Sequence, residues 1–305
     1  MQKNEIGMWG LKQKISGLLI LIGLIPFVVF YFYSAEKISG LTLQTNRDRL
    51  VSLRETKKIQ IENYFKNIAA QASTFSSSFM VVDAMDKFAT AFDQVEQQTV
   101  ASDAVDLSSK LRERYSYQQA NTPGATPDAV DRWIPKGKTS QILQNLYISG
   151  NSHPIGEKHN LDAANDKTMY SQIHGQYHPT IRKFLEEFGY YDIFLVDADT
   201  GFIVYSVFKE VDYATSLLTG PYKDTGIGKV FKKALATESS DAVVIEDFAS
   251  YEPSYNAAAS FVASPVYDMG EMTGVLIFQA PVDRINDVMT SGNDWKGVGL
   301  GDSGE

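Results

Sequence analysis

The longest apolar run in the chain is ISGLLILIGLIPFVVFYFY, Ile15 to Tyr33, and it holds no charged residue. At 1.5 Å per residue it makes about 28 Å of helix, close to the thickness of a bilayer's hydrocarbon core. The run predicts a transmembrane helix. Interior Gly23 and Pro26 are tolerated in such helices, and Trp9 and Tyr31 to Tyr33 suit the two interfacial belts. A cleaved secretory signal is the rival reading; against it, FYFYSAEK places bulky aromatics where a cleavage site needs small residues.

Beyond the span, Ile61, Phe65, Ile68, Ala72, Phe75, Phe79 and Val82 recur at alternating spacings of four and three, a heptad seam. The phase skips at Met85, Phe88, Phe92 and Val95, so one long helix with a phase change or two consecutive helices are expected. The seam packs either on its own domain or against a second copy. From Thr99 to about Thr139 the composition turns polar, and NTPGATPD reads as a turn cluster, giving a helix followed by a surface loop. Helical periodicity returns over Thr180 to Phe188, with Gly189 placed as a C-terminal cap.

The period then changes to two. YYDIFLVD and FIVYSVF flank an Asp-x-x-Gly turn as a hairpin; a loop, KEVDYATSLLTGPYKDTGIG, and a short amphipathic helix, KVFKKALA, follow. AVVIEDFASY, AAASFVASPVYD and EMTGVLIFQAPV are three further strands joined by turns. Two strands, a loop and helix, then three strands in meander is the pattern of an α+β fold with a PAS-like five-stranded antiparallel sheet. One face would hold the long N-terminal helix, and the other, lidded by the loop, would form a pocket.

Charge sets the orientation. Lys3, Lys12 and Lys14 against Glu5 give the first fourteen residues +2 of a net −9, and the remainder carries −11. By the positive-inside rule the N-terminus stays cytoplasmic and the rest is exported, a single-pass protein of the inner (plasma) membrane with its sensor part in the periplasm. With no basic run, nucleic acid is not expected as a partner. Zero cysteines exclude a disulfide scaffold and thiol catalysis.

The stretch GYYDIFLVDADTGFIVYSVFKEVDYATSLLTGPYKDTGIGKVFKKAL, then FASYEPSYNAAASFVASPVYDMGEMTGVLIFQAPVDRINDVM, preceded by LYISGN and GQYHP, resembles the extracytoplasmic double Cache sensor regions of bacterial chemoreceptors and sensor kinases. The resemblance covers about residues 142–305. It implies a small-molecule-sensing input with no reaction of its own and no cofactor, a homodimer through the long helix, and output as a methyl-accepting chemotaxis protein, with a histidine kinase or nucleotide cyclase as the alternative. GLGDSGE looks like the opening of a second, membrane-proximal module, so the resemblance implies the N-terminal part of a longer receptor. The expected organisation is a cytoplasmic stub over 1–14, a transmembrane helix over 15–33, a helical stalk over 34–98, a helix and loop region over 99–188, a distal Cache module over 189–290 and the start of a proximal module over 291–305.

Gly299, Gly301 and Gly304 spell GxGxxG, yet lack the strand before and the helix after that a dinucleotide site needs. Gly220 and Gly226 lack the Lys-Ser or Lys-Thr of a phosphate loop, and no GxSxG occurs, so no catalytic residue is assigned. His153, His159, His174 and His178 cluster in sequence, and His174 and His178 at i, i+4 would share a helix face. With no HExxH glutamate and with Pro179 following, packing is the default and no metal is assigned; an exported metal-binding protein, or a structural dimerisation stalk, is the reading from a different class.

For a pocket, Asp247 and Tyr251 share a face of AVVIEDFASY by the period of two, with Ser254 just beyond. Tyr205 on the second strand, Lys209, Asp212 and Tyr213 in the loop, and Gln279 on the last strand are expected to converge with them. Both charge signs are present, which suits a small polar metabolite, zwitterionic or anionic. The Arg-x-Trp-Tyr run of the amino-acid-binding Cache sensors is not found, because Arg132 and Trp133 are adjacent and followed by Ile-Pro.

Overall fold

The computed structural model describes residues 10–99, 107–294 and 297. Lys3, Glu5, Trp9, Gly299, Gly301, Gly304 and most of the expected proximal module lie outside the described residues. The chain divides into two units, 1–60 and 61–305.

In the first unit, helix α1 (Leu11–Ser76) carries the apolar run, with a window of mean hydropathy 2.5. Among the described residues it is the one helix long and apolar enough to cross a membrane. Leu18, Ile22, Phe27 and Phe30 are all more than half exposed, apolar on every side as lipid-facing helices are.

In the second unit α1 ends at Ser76, and α2 (Phe79–Gln98) starts after a break at Ser77 and Ser78. Of the two expected arrangements the consecutive helices form, with the break upstream of Met85. Ser78 causes it: its hydroxyl accepts from the Val81 amide at 3.4 Å, an N-cap that stops the preceding helix. Phe79 therefore leaves the seam and is 84% exposed, while α2 buries Val81, Ala84, Met85, Phe88, Ala91, Phe92 and Val95.

Helices α3 (Leu107–Asn121), α4 (Ala129–Trp133) and α5 (Lys138–Gln144) follow, the last running into a π-helical turn over Asn145–Ser149. The expected helix of the polar stretch is α3, but the segment after it is not wholly a surface loop, since α4 forms within it and buries Ala129, Val130 and Trp133. Helix α6 (Met169–Phe188) begins well before Thr180, because the Thr168 hydroxyl accepts from the Ser171 amide at 3.2 Å, and it carries Pro179 in its interior. It ends on Gly189, whose φ of 72° is the left-handed cap conformation, its amide on the Leu185 carbonyl at 2.8 Å.

The sheet comprises β1 (Asp192–Asp197), β2 (Ile203–Ser206), β3 (Val244–Tyr251), β4 (Ala257–Asp268) and β5 (Glu271–Pro281), all antiparallel, in the order β2-β1-β5-β4-β3. Helix α7 (Gly226–Leu235) lies between β2 and β3 in sequence, and α8 (Asp283–Thr290) follows β5. The fold is α+β, a long N-terminal helix with a five-stranded antiparallel sheet.

Register and alternation assign every strand residue to a face. Val262, Ser264, Gly274, Leu276, Phe278, Ile193, Leu195 and Tyr205 share the first face. It is covered by helices: Phe75 stacks on Phe184 at 4.0 Å and lies 6.2 Å from Phe278, the Ser76 and Ser264 hydroxyls meet at 2.9 Å, and Phe88 lies 4.8 Å from Tyr205. Gly274 is needed here, because a Cβ at that position would run into the Met85 side chain and the Val196 carbonyl oxygen. Phe261, Ile277, Gln279, Asp192, Phe194 and Ser206 share the second face, where α7 and the connection between β2 and α7 pack.

Candidate ligand-binding site

The connection over the second face is built unlike an ordinary loop. Lys209 to Leu217 are buried without interruption, although a buried loop must find partners for its backbone. It does so on the outer edge of β2: the Ile203 amide donates to Thr215 at 3.0 Å, the Ala214 amide to Ile203 at 3.2 Å and the Leu217 amide to Gly201 at 2.7 Å. This strap also covers an edge strand that would otherwise be free to pair. Lys209 and Ala214 take left-handed φ values of 54° and 60°, strain that the surrounding packing has to hold.

The strap is hinged on Asp192 at the start of β1. Its Oδ1 accepts from the amides of Ile193 (2.7 Å), Val207 (2.9 Å) and Phe208 (3.1 Å), and its Oδ2 from the Ser206 hydroxyl (2.8 Å). Burial pushes this carboxyl up and the neighbouring Lys209 ammonium down. Lys209 Nζ donates to the carbonyls of Ser206 (2.8 Å) and Val207 (3.1 Å) and lies over the rings of Tyr147 and Tyr205.

Beyond Lys209 the strap places Glu210 and Asp212 in the interior. Glu210 Oε1 pairs with Lys158 Nζ at 3.1 Å, both residues being buried, while Oε2 has no partner. Asp212, 1% exposed, accepts from the Tyr251 hydroxyl at 2.5 Å through Oδ2, while Oδ1 has no partner. Burial raises the Asp212 carboxyl to about 7, against the lowering effect of the Tyr251 bond. The Tyr222 hydroxyl, buried and within electrostatic reach of Asp212, is also unpartnered, as are both Nη atoms of Arg114 on α3. Buried polar groups are nearly always hydrogen-bonded, so a carboxylate oxygen on each of two acids and a phenol left open in one region call for an explanation. A polar ligand at that place supplies one.

The eight residues expected to line a pocket separate into two sets and two single residues, Lys209 and Asp247. Asp212, Tyr251, Ser254 and Gln279 come together on the second face; Gln279 Nε2 donates to Ser254 Oγ at 2.9 Å, and Tyr251 meets Phe261 edge-on at 5.0 Å. Tyr205 and Tyr213 point to the helical side: Tyr205 pairs with His178 Nδ1 at 2.7 Å, and Tyr213 donates to the Tyr170 hydroxyl at 2.6 Å. Lys209 stands between the two at the sheet edge. Asp247 is exposed and, among the described residues, accepts from the adjacent Phe248 amide at 2.7 Å. A β-bulge separates it from Tyr251: the pairing jumps from Glu246 with Phe261 to Ala249 with Ala259, and the extra residue breaks the period of two.

Glu210 and Tyr222 belong with the second-face set and were not among the sequence candidates; Tyr115 on α3, whose hydroxyl donates to Gln144 at 2.7 Å, is within electrostatic reach of Glu210 and Asp212. Glu210 lies in the same lid loop as the candidates Lys209 and Asp212, with no feature of its own to single it out, and Arg114 and Tyr115 lie in the stretch that composition marks as polar. Arg132 and Trp133 also take a place near it, donating to Glu252 after β3 at 2.9 and 3.0 Å.

The histidines form a closed arrangement. His174 and His178 stack at 4.3 Å between ring centroids. His178 donates from Nε2 to the His159 carbonyl at 2.6 Å, which leaves Nδ1 to accept from Tyr205. His174 donates from Nδ1 to the Asp162 carbonyl at 2.5 Å, and its Nε2 has no partner. Burial pushes His178 down to about 2 and His174 in the same direction, so both rings are neutral. Among the described residues no group of three or more His, Asp or Glu is arranged to hold a metal ion.

No family model matches the chain, and no curated protein sequence does. Among solved structures it is similar to the sensor domain of the V. cholerae histidine kinase DctB, at 13% identity and TM-score 0.31 over 59% of each chain. It is similar to the ligand-binding domain of the Pseudomonas aeruginosa PAO1 amino-acid chemoreceptor PctC in complex with GABA, at 14% identity and TM-score 0.29 over 48% of this chain and 62% of that one. A third likeness is to the ligand-binding domain of the Campylobacter jejuni chemoreceptor Tlp3 in complex with 4-methylisoleucine, at 11% identity and TM-score 0.29 over 71% of this chain and 66% of that one. The chain thus spans about three fifths to two thirds of the length of these domains.

Proposed function

We propose that the chain is the extracytoplasmic small-molecule-sensing input of a transmembrane signalling receptor, catalysing no reaction itself. Its ligand lies between the strap of residues 207–225 and the second face of the sheet, among Glu210, Asp212, Tyr222, Tyr251, Ser254 and Gln279. The observation that carries this is the open valence at Asp212 Oδ1, Glu210 Oε2 and the Tyr222 hydroxyl, all buried. The apolar run of α1 serves as the membrane anchor with the lysine-bearing stub inside, and the heptad seam serves a homodimer. Output as a chemotaxis receptor, rather than a kinase or cyclase, rests on the sequence resemblance to Cache sensors. A ligand shifts such a device only by binding two arrangements unequally, and a strap held in left-handed conformations at Lys209 and Ala214 is the element suited to having two.

A metabolite library screened against the full chain in detergent tests this. A ligand at about 100 times its dissociation constant stabilises the protein by about 2.7 kcal/mol, enough to read as a rise in Tm. Asp212→Ala with Tyr251→Phe should abolish that rise, and Asp247→Ala should leave it intact. A rise that survives the double substitution places the ligand elsewhere.

A further inference from the structure

We propose that the loop over residues 158–162 is a latch that sets the position of the strap, with Lys158 and His159 as its positioning residues and the histidines of α6 as its mount. The inference rests on the sensing reading above for why the strap's position matters, and adds residues outside the ligand site that control it.

The strap is moored on both sides of residues 208–210. Before them, the Asp192 carboxylate takes the amides of Val207 and Phe208 at 2.9 and 3.1 Å. After them, Gln144 Nε2 donates to the carbonyls of Val211 and Tyr213 at 3.2 and 2.6 Å. Between the two moorings stands Lys209 with its left-handed φ of 54°, a conformation that costs energy to hold. The loop supplies that hold from the side. On one flank of Lys209 the His159 ring stacks on Phe208, 4.6 Å between centroids and 24° between planes. On the other flank Lys158 Nζ reaches Glu210 Oε1 at 3.1 Å. Lys158 and Glu210 are 2% and 5% exposed, so neither charge has water to turn to, and removing one strands the other.

A loop can hold the strap only if it is itself held. His174, His178 and Arg182 stand at i, i+4 and i+8, on one face of α6. His178 Nε2 donates to the His159 carbonyl at 2.6 Å, and Arg182 Nη1 donates to the same carbonyl at 2.9 Å. His174 Nδ1 donates to the Asp162 carbonyl at 2.5 Å, and Arg182 pairs with Asp162 Oδ1 at 2.8 Å. A carbonyl only accepts, so each of these ring nitrogens carries the proton, and His178 Nδ1 is left to take the Tyr205 hydroxyl of β2 at 2.7 Å. One imidazole thereby joins loop, helix and strand. Gly175, in the interior of the same helix, fits this mount: a Cβ there would stand 3.3 Å from the Ala163 Cβ and 3.8 Å from the Asp162 carbonyl oxygen, so the bare backbone lets the loop lie against the helix. From the other side Asn151 Nδ2 donates to the Lys158 carbonyl at 3.0 Å. The histidines that cluster in the sequence thus have a mooring role that needs no metal.

Hydrogen exchange of the full chain in detergent, with no ligand added, tests the latch through two variants. Arg182→Met cuts both bonds from that side chain to the loop, and Arg182 bonds no strap residue among the described residues. Lys158→Met removes the ion pair itself. Each should speed exchange over residues 207–213 about ten-fold or more while β4 and β5 keep their wild-type rates. Lys158→Arg, which keeps the charge, should bring the rates back toward wild type. Unchanged exchange over 207–213 in Arg182→Met overturns the proposal, and so does an equal acceleration throughout the sheet, which would make these side chains general supports of the fold. Lys158→Arg exchanging as fast as Lys158→Met overturns it as well. If Lys158→Met does not fold, Lys158→Met with Glu210→Gln, which removes the stranded charge, takes its place under the same criteria. None of these outcomes touches the sensing reading, which fails when no library member raises Tm, whatever the exchange rates of the strap.

Discussion

Asp192 shows how much of the site's geometry one side chain can hold. Three backbone amides and a hydroxyl converge on its carboxylate, and two of those amides, Val207 and Phe208, are the first residues of the strap. Asp192→Ala strands buried donors, at about 1–3 kcal/mol for each one left unsatisfied. The expected outcome is a loss of about 3 kcal/mol, a fall in Tm of several degrees for a unit of this size, and weakened ligand binding. Thermal melting of the variant checks it; an unchanged Tm would mean that the strap is held from elsewhere. At this scale the sequence is least legible. Strand period and loop position bring Asp212, Tyr251, Ser254 and Gln279 onto one face, whereas Glu210 and Tyr222, in the same loop as Asp212, carry no local signal that they turn inward rather than to solvent. Asp247 is displaced by a bulge, and nothing in AVVIEDFASY marks which residue is the extra one.

Elements were far more legible than residues. β4 occupies the expected AAASFVASPVYD, and β1, β2, β3 and β5 fall within a few residues of their expected bounds, because alternation of β-branched and aromatic residues between Gly- and Pro-bearing turns is a local signal. Before the sheet, the expected helix forms as α3, but α4 and α5 were not foreseen, because helices of five and seven residues are too short for a period to register. Docking of α2 on the sheet depends on the missing side chain at Gly274, which admits Met85. Gly274→Ala should cost about 1–3 kcal/mol by overpacking. Met85→Ala alone should also destabilise, and the double variant should be more stable than the sum of the two losses predicts. Chemical denaturation of the three variants checks this; strict additivity would mean that the two positions do not meet.

For the whole molecule, α1 carries the anchor reading. An arginine at the centre of a spanning helix costs about 2.5–3.5 kcal/mol of insertion free energy, so Leu24→Arg should shift the chain from the membrane fraction toward the soluble one. Fractionation of the expressed chain checks that, and N-terminal sequencing that began near Ser34 would instead reveal a cleaved signal. The proposal for residues 61–305 is that a small molecule is held between the strap and the second face of the sheet. Hydrogen exchange of the full chain, with and without a ligand found by melting shift, addresses it most directly. Exchange should slow only at residues 207–225, β3 and the segment just after it. Protection centred instead on the surface cleft between Tyr190, Phe208 and Arg284, or on the buried histidines of α6, would contradict it.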